Sequence, residues 1–405
     1  MARPTFVILG AGLCGGAAAQ TLRDEGFDGR VVLIGDEAHP PYERPPLSKE
    51  YLRGEHGRDE LFVHPLDWYG EQDIEARLGV RATAIEADGH SLTLDDGEGV
   101  PYDALLIATG GRPRRLSREP SERILYLRTV EDCDRIRTWL APGRRVILVG
   151  AGFIGSEVAA SARTVGAEVT VLDRNEVPLA RVLGPDIGRV YAEIHRDHGV
   201  DLRSSDGVGA IEEADDRVVI RSIRGATIEG DAVVVGVGIQ PNTELAEAAG
   251  LELTNGIAVD EHCRTSQAAV FAAGDVADHF HPVFGRRIRV EHFDNAIKHG
   301  TNAARNMLGK ADPFDDPHWF WSDQYDVNLQ YGGFASEWDQ VEVRGSLSER
   351  EFVAFFLKEG VLLAALGVNR GREVRRAMKL IAARARPHPH QLKDEDVDLR
   401  SLVPK

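Results

Sequence analysis

The sequence predicts an α/β fold, with two dinucleotide-binding domains followed by a C-terminal α+β domain. Three observations support this. Two glycine fingerprints, Gly10-Ala11-Gly12-Leu13-Cys14-Gly15 and Gly150-Ala151-Gly152-Phe153-Ile154-Gly155, each sit between an apolar run and an Ala-rich stretch. Each is followed, roughly 20 residues on, by a second apolar run with an acid at its end. From His318 onward the pattern changes to strands and one amphipathic stretch.

Phe6-Val7-Ile8-Leu9 and Val146-Ile147-Leu148-Val149 read as buried strands, and the Ala-rich residues after each fingerprint read as a helix. The first glycine of each fingerprint allows the tight turn out of the strand. The second lets the backbone approach a pyrophosphate, and the third lets helix and strand pack closely. The helix N-terminus offers free N–H groups to the phosphates. Val31-Val32-Leu33-Ile34-Gly35-Asp36 and Val169-Thr170-Val171-Leu172-Asp173 supply the second strands, whose terminal acids can accept hydrogen bonds from ribose hydroxyls. Two such sites in one chain suggest one bound flavin and one visiting nicotinamide.

The first unit closes with Ala104 to Gly111 and the second with Asp231 to Gly238, so the chain holds a diverged internal repeat. Val270-Phe271-Ala272-Ala273-Gly274-Asp275 and a helix from Asp294 to Leu308 are expected to return to the first domain. The expected boundaries are 1–111 with 242–315, then 112–241, then 316–405. Asp312 to Pro317 reads as a linker. Lys358-Glu359-Gly360 between two apolar runs reads as a hairpin turn. Val374, Ala377, Met378 and Ile381 give Glu373–Arg384 helical spacing, and the tail from Lys393 reads as loosely held.

The chain has 405 residues, 42% hydrophobic and 28% charged, with a net charge of −17. That charge argues against nucleic acid as a partner. No apolar run of about 18 residues is present, so no membrane span is expected. The start leads straight into a core strand, leaving no room for a signal peptide. Cys14, Cys133 and Cys263 are scattered without a CxxC pair, which speaks against a disulfide framework or a redox dithiol and for a reducing cytoplasm. His279/His281 and His388/His390 lack supporting cysteines or acids, so no metal site is expected.

Further motifs are Arg44-Pro45-Pro46-Leu47-Ser48-Lys49, Ala108-Thr109-Gly110-Gly111-Arg112-Pro113, Tyr126-Leu127-Arg128-Thr129 and Trp319-Phe320-Trp321-Ser322-Asp323-Gln324. With them, nearly the whole chain resembles the oxygenase-coupled NADH-dependent ferredoxin reductases. The resemblance implies a glutathione-reductase-like pair of Rossmann-like domains, the first for FAD and the second for NADH, with a C-terminal domain covering the flavin. The cysteine pair of the glutathione-reductase relatives is missing.

For FAD, the resemblance implies contacts from Gly10, Gly12, Leu13, Cys14 and Gly15, with Asp36 as ribose acid and Glu37 as the fallback. It adds Arg44, Pro45 and Lys49 against the flavin ring, and Ala82, Ala108, Thr109, Gly110 and Arg128. Gly274 and Asp275 are placed at the ribityl chain, and Glu291, His292, Phe293 and Ala296 at the pyrimidine end. The triplet Glu291-His292-Phe293 departs from the family pattern, and Cys14 stands where a small residue is usual.

For NADH, the implied set is Gly150, Gly152, Phe153, Ile154, Gly155, Asp173 and Gly238. Arg174 accompanies Asp173 and could accommodate a 2′-phosphate. Arg181 lies over the adenosine end or is a solvated charge. Lys49 and Glu157 are expected to pair near the nicotinamide as catalytic residues; the alternative for Glu157 is an acid serving the helix dipole. Trp321 is expected as a third catalytic residue near the flavin, with core packing as the alternative.

The implied reaction passes electrons from NADH through FAD to a small iron–sulfur ferredoxin, [2Fe–2S] in type, serving a cytochrome P450 or a ring-hydroxylating oxygenase. The basic run Arg370, Arg372, Arg375, Arg376 and Lys379 is the candidate docking patch. A monomer or weak homodimer is expected. The rival readings are a quinone or monodehydroascorbate reductase, and a redox-sensing protein of the apoptosis-inducing-factor type.

Overall fold

A computed structural model describes residues 3–116 and 119–404. They divide into two compact units. The first comprises Met1–Glu43, Asp59–Arg112 and Gln240–Phe320, and the second Arg44–Arg58, Pro113–Ile239 and Trp321–Lys405.

The first unit is built on a five-stranded parallel sheet. Its order is Val270–Ala272, Ala104–Ile107, Thr5–Leu9, Arg30–Gly35, Ile74–Leu78. The second unit repeats this with Ile124–Tyr126, Ala232–Val235, Arg145–Val149, Glu168–Asp173 and Asp201–Ser204. Each unit adds a three-stranded antiparallel meander, Ala82–Pro101 in the first and Val208–Gly230 in the second. The internal repeat expected from the sequence is therefore present strand for strand. The central strands are apolar throughout because a parallel sheet covered on both faces has no wet side. Val7, Ile8, Val31, Val32 and Leu33 have no exposed surface.

The remainder is a five-stranded sheet in the order Trp319–Gln324, Val327–Gly333, Val361–Val368, Glu351–Lys358, Gln340–Ser346. The hairpin at 358–361 turns on Glu359 and Gly360, at φ 50° and 76°. Two positive φ values define the turn whose twist matches the flanking strands. Helix Gly371–Ala382 lies against this sheet at glycines. A Cβ on Gly367 would stand 2.8 Å from Val374, and one on Gly332 2.7 Å from Met378.

Two stretches differ from expectation. The tail is held, with Leu399 buried and the Arg344 guanidinium donating to the carbonyls of Leu392 at 2.7 Å and Gln391 at 2.9 Å. The 312–317 stretch is no free linker either. The Asp312 carbonyl accepts from Asn302 and Asn306, and Phe314 is buried. In the 312–317 stretch, backbone carbonyls satisfied by distant side chains replace regular secondary structure.

Phe352, Phe355 and Phe356 are wholly buried in the last sheet. Phe356→Ala is expected to cost about 3–5 kcal/mol. The measurement is urea unfolding followed by fluorescence of Trp338, whose ring lies 5.0 Å from that of Phe356.

Candidate functional site

The two glycine fingerprints superpose in their chemistry. Gly10 N–H donates to Ile34 O at 2.7 Å, and Gly150 N–H to Leu172 O at 2.8 Å. Gly10 has φ 120° and a Cβ there would sit 2.1 Å from Ala108 O; for Gly150 the values are 99° and 2.3 Å from Gly236 O. A Cβ on Gly15 would lie 1.9 Å from Gly10 O, and one on Gly155 2.0 Å from Gly150 O. These four positions admit only glycine because backbone occupies the side-chain space. Gly12 and Gly152 are different, since nothing lies within 4 Å of either added Cβ. They are the N-caps of helices Leu13–Asp24 and Phe153–Thr164, and neither helix has a side-chain cap. Each loop thus presents open space against uncapped N–H groups, which suits a pyrophosphate. Helix Phe293–Met307 likewise starts at His292 without a side-chain cap, and His292 Nδ1 is buried without a hydrogen-bond partner.

The repeat diverges at the acids. By register, Asp173 corresponds to Gly35. Asp173 is 7% exposed, and its carboxylate accepts from Ala151 N–H at 2.5 Å and from Asn175 at 2.6 and 2.7 Å. It therefore braces the second glycine loop. A side chain at Gly35 would meet Ala11 at 2.4 Å, and the first copy has its acid one place later, at Asp36. Asp36 is exposed and pairs with Arg81 at 3.4 Å, while Glu37 accepts from Tyr42 at 2.5 Å.

Around the first loop, Cys14 is buried between Gly274 and Gly300, and burial raises its thiol pKa far above the usual range. It is a packing residue. Leu13, Thr109, Gly110, Asp275 and Phe293 are half-buried, Glu291 is exposed, and Ala82, Ala108, Gly274 and Ala296 are buried. Thr109 and Asn242 exchange hydrogen bonds at 2.9 and 2.8 Å, closing the turn after Ala104–Ile107. Around the second loop, Ile154 is 43% exposed beside the open Gly152, Phe153 is half-buried, and Arg174 and Arg181 are exposed. Gly238 has φ 104°.

Segment 44–58 lies in the second unit, together with Glu157. Arg44 donates to Arg128 O at 2.5 Å, and Pro45 O lies 3.4 Å from Lys49 Nζ. Lys49 and Glu157 are 5% and 3% exposed and pair at 2.8 Å. The Glu157 carboxylate also accepts from Ser48 Oγ at 2.6 Å and from Ser322 Oγ at 2.7 Å. Gln324 donates to Ser322, His195 Nε2 meets Gln324 Oε1 at 3.0 Å, and Tyr325 OH meets His195 Nδ1 at 3.1 Å. Sequence reasoning singled out the charged pair and Trp321, but not Ser48, Ser322, Gln324 or His195. Three of these, Ser48, Ser322 and Gln324, stand inside quoted motifs, the two serines next to Lys49 and Trp321. Along strand Trp319–Gln324 the buried residues are Phe320, Ser322 and Gln324, so half-buried Trp321 faces the other way.

In the candidate basic patch, Arg372, Arg375, Arg376 and Lys379 are exposed. Arg370 is half-buried and bound to Glu373 and Glu395, both at 2.6 Å.

The comparisons with known proteins give the family. Residues 4–300 match the family described as pyridine nucleotide-disulphide oxidoreductase, and residues 319–403 match the reductase C-terminal domain. The chain belongs to the pyridine nucleotide-disulphide oxidoreductases, in the branch of the ferredoxin–NAD(+) reductases. It is 41% identical to the ferredoxin–NAD(+) reductase component of the anthranilate 1,2-dioxygenase system of Burkholderia cepacia, over 100% of both chains. It is 37% identical to putidaredoxin reductase of Pseudomonas putida, over 99% of this chain and 97% of that one. Among solved structures, the covalent putidaredoxin reductase–putidaredoxin complex matches with a TM-score of 0.96, 37% identity and coverage of 100% and 99%. Among the described residues, no helix is long and apolar enough to cross a membrane.

Removing one partner of a buried ion pair leaves an uncompensated charge, whereas removing both is far milder. Lys49→Met and Glu157→Gln are each expected to destabilise the protein by about 3–5 kcal/mol. The double variant should cost clearly less than the sum, read as a double-mutant cycle in denaturant unfolding. His195 adds a pH dependence. Burial lowers its pKa to about 4, against the Gln324 hydrogen bond that raises it. Unfolded, the imidazole binds its proton near pH 6.5. The unfolded state thus holds more protons between pH 4 and 6.5, so stability falls as the pH drops through that window. The loss is about 3 kcal/mol from this group, and a His195→Gln variant should show a shallower decline in urea midpoint.

Proposed function

We propose that the protein is an FAD-dependent NADH:ferredoxin reductase serving a cytochrome P450 or a ring-hydroxylating oxygenase. The observation that carries this reading is the buried Lys49–Glu157 pair, held within the same unit as the second glycine loop. In this reading FAD is held by Gly10, Gly12, Gly15, Asp36, Gly274, Asp275 and the start of helix Phe293–Met307, within 1–111 and 242–315. NADH is held by Gly150, Gly152, Gly155, Asp173 and Gly238, within 112–241. The observed loops fit both cofactors, since each has a cradle closed by glycine and an uncapped helix end. FAD, when bound, supplies the change from a two-electron donor to single-electron delivery.

The chain's own residues do four things in this scheme. The uncapped helix ends at Gly12 and Gly152 bind the two pyrophosphates through N–H groups and dipole. Asp173 braces Ala151 and keeps lone pairs for ribose hydroxyls; a carboxylate there disfavours a 2′-phosphate. Lys49 holds a fixed, buried positive charge, which would oppose negative charge developing beside it. Glu157 orients that ammonium, and Ser48 and Ser322 orient Glu157. Because the hydrogen bonds are made in advance, the lysine needs no reorganisation when charge moves. Exposed Arg372, Arg375, Arg376 and Lys379 give an acidic iron–sulfur protein a basic landing face on an otherwise acidic chain.

Anaerobic stopped-flow tests the reading. NADH is expected to bleach the flavin quickly, NADPH slowly, and a [2Fe–2S] ferredoxin to restore the colour. Slow bleaching with a long-lived charge-transfer band would instead indicate a redox sensor, and reoxidation by quinone alone a small-molecule reductase. Reversing Arg372 and Arg376 to Glu should slow transfer to ferredoxin and flatten its salt dependence. Asp173→Ala should weaken NADH binding by about 10–100-fold, the worth of a hydrogen bond to a charged group.

A further inference from the structure

The first unit contains a group of buried histidines that the reaction above does not use. His279 and His281 alternate with exposed Phe280 on strand Ala277–His281, so both point to the same side. His318 comes to them from the end of segment 311–318, which has no helix or strand. The three rings are 1%, 0% and 2% exposed, and one ligating atom from each lies within 4.8 Å of the others. His279 Nδ1 and Nε2, His281 Nδ1 and His318 Nε2 are buried without a hydrogen-bond partner. A buried polar atom left unpaired is costly, and here several lie close together.

The second ring atom of His281 makes the case stronger. Its Nε2 meets the Asp316 carbonyl at 3.2 Å. A carbonyl only accepts, so Nε2 carries the proton and Nδ1 keeps its lone pair toward the cluster. A histidine that donates one N–H to a backbone carbonyl and turns its other nitrogen inward has the arrangement of a metal ligand with its supporting shell. Asp315 and Asp316 supply negative charge beside His281, and Arg287 opposes it from the side of His279. None of the three histidines lies in either glycine loop.

From this we infer that His279, His281 and His318 bind one divalent transition-metal ion of the zinc class, with three imidazole ligands and an open fourth position. The ion would fasten segment 311–318 to strand Ala277–His281. His299 stands next to the site, its ring 4.7 Å from that of His279, and its Nδ1 accepts from Gly274 N–H at 3.1 Å. The site therefore adjoins the Gly274-Asp275 turn.

The test uses the full flavin-loaded chain with no polyhistidine tag. Metal content is measured by mass spectrometry, the protein is stripped with a chelator, and Co(II) is titrated while ligand-field absorption is followed beyond the oxidised flavin band. Competition with a chromophoric zinc indicator gives the zinc affinity. One saturable equivalent with tetrahedral Co(II) bands is expected. His318→Ala and His281→Ala should each weaken binding by at least about 100-fold, with circular dichroism and flavin absorbance matching the parent. His390→Ala should retain the affinity; it disrupts the exposed His388–His390 pair, whose Nδ1 atoms lie 2.8 Å apart. The inference is overturned if the unaltered protein shows no saturable Co(II) or zinc binding. It is equally overturned if His390→Ala abolishes the binding, or if His318→Ala and His281→Ala leave it intact.

Discussion

Much of the second unit hangs on one carboxylate. Glu157 starts on the helix after the second glycine loop, yet its two oxygens hold Ser48, Lys49 and Ser322. These come from segments separated in sequence by 109, 108 and 165 residues. A carboxylate this deeply buried is tolerable only with its lone pairs filled and a counter-charge at hand. The same hydrogen bonds therefore do two jobs: they satisfy the acid, and they place the lysine. Ser161 on the same helix adds another tie to this segment by donating to Ser48 O at 2.7 Å.

The two nucleotide loops show how little freedom such a site leaves. In both copies the first and third glycines are required by the chain's own carbonyls, while the second glycine faces open space. Closeness of the backbone to itself and closeness of the backbone to a ligand thus call for the same residue type for different reasons. The acids show the reverse case. One role, accepting hydrogen bonds at the end of the second strand, is met by a buried Asp173 in one copy and an exposed Asp36 in the other. The first copy has Gly35 at the register position of Asp173, and its acid follows one residue later.

Some of this was legible in the residues because it depends on local geometry. The fingerprints, the parallel strands and the Glu359-Gly360 turn follow from period, spacing and motif, and the Lys49–Glu157 partnership from the family resemblance. The held tail and the anchored 312–317 stretch did not, because polar, Pro-rich segments read as loops whether or not distant side chains bind their carbonyls. Arg344 and the pair Asn302 and Asn306 supply those bonds, and nothing in the local pattern announces them.

The sequence by itself determined the repeat and the two glycine cradles, since each depends on what one residue type can do at one backbone position. Only the tertiary structure decided which hydroxyls orient Glu157, that Asp173 braces its own loop, and that His318 joins His279 and His281. Those arrangements join residues far apart in the chain, and the path of intervening segments, not any local preference, brings them within hydrogen-bonding reach.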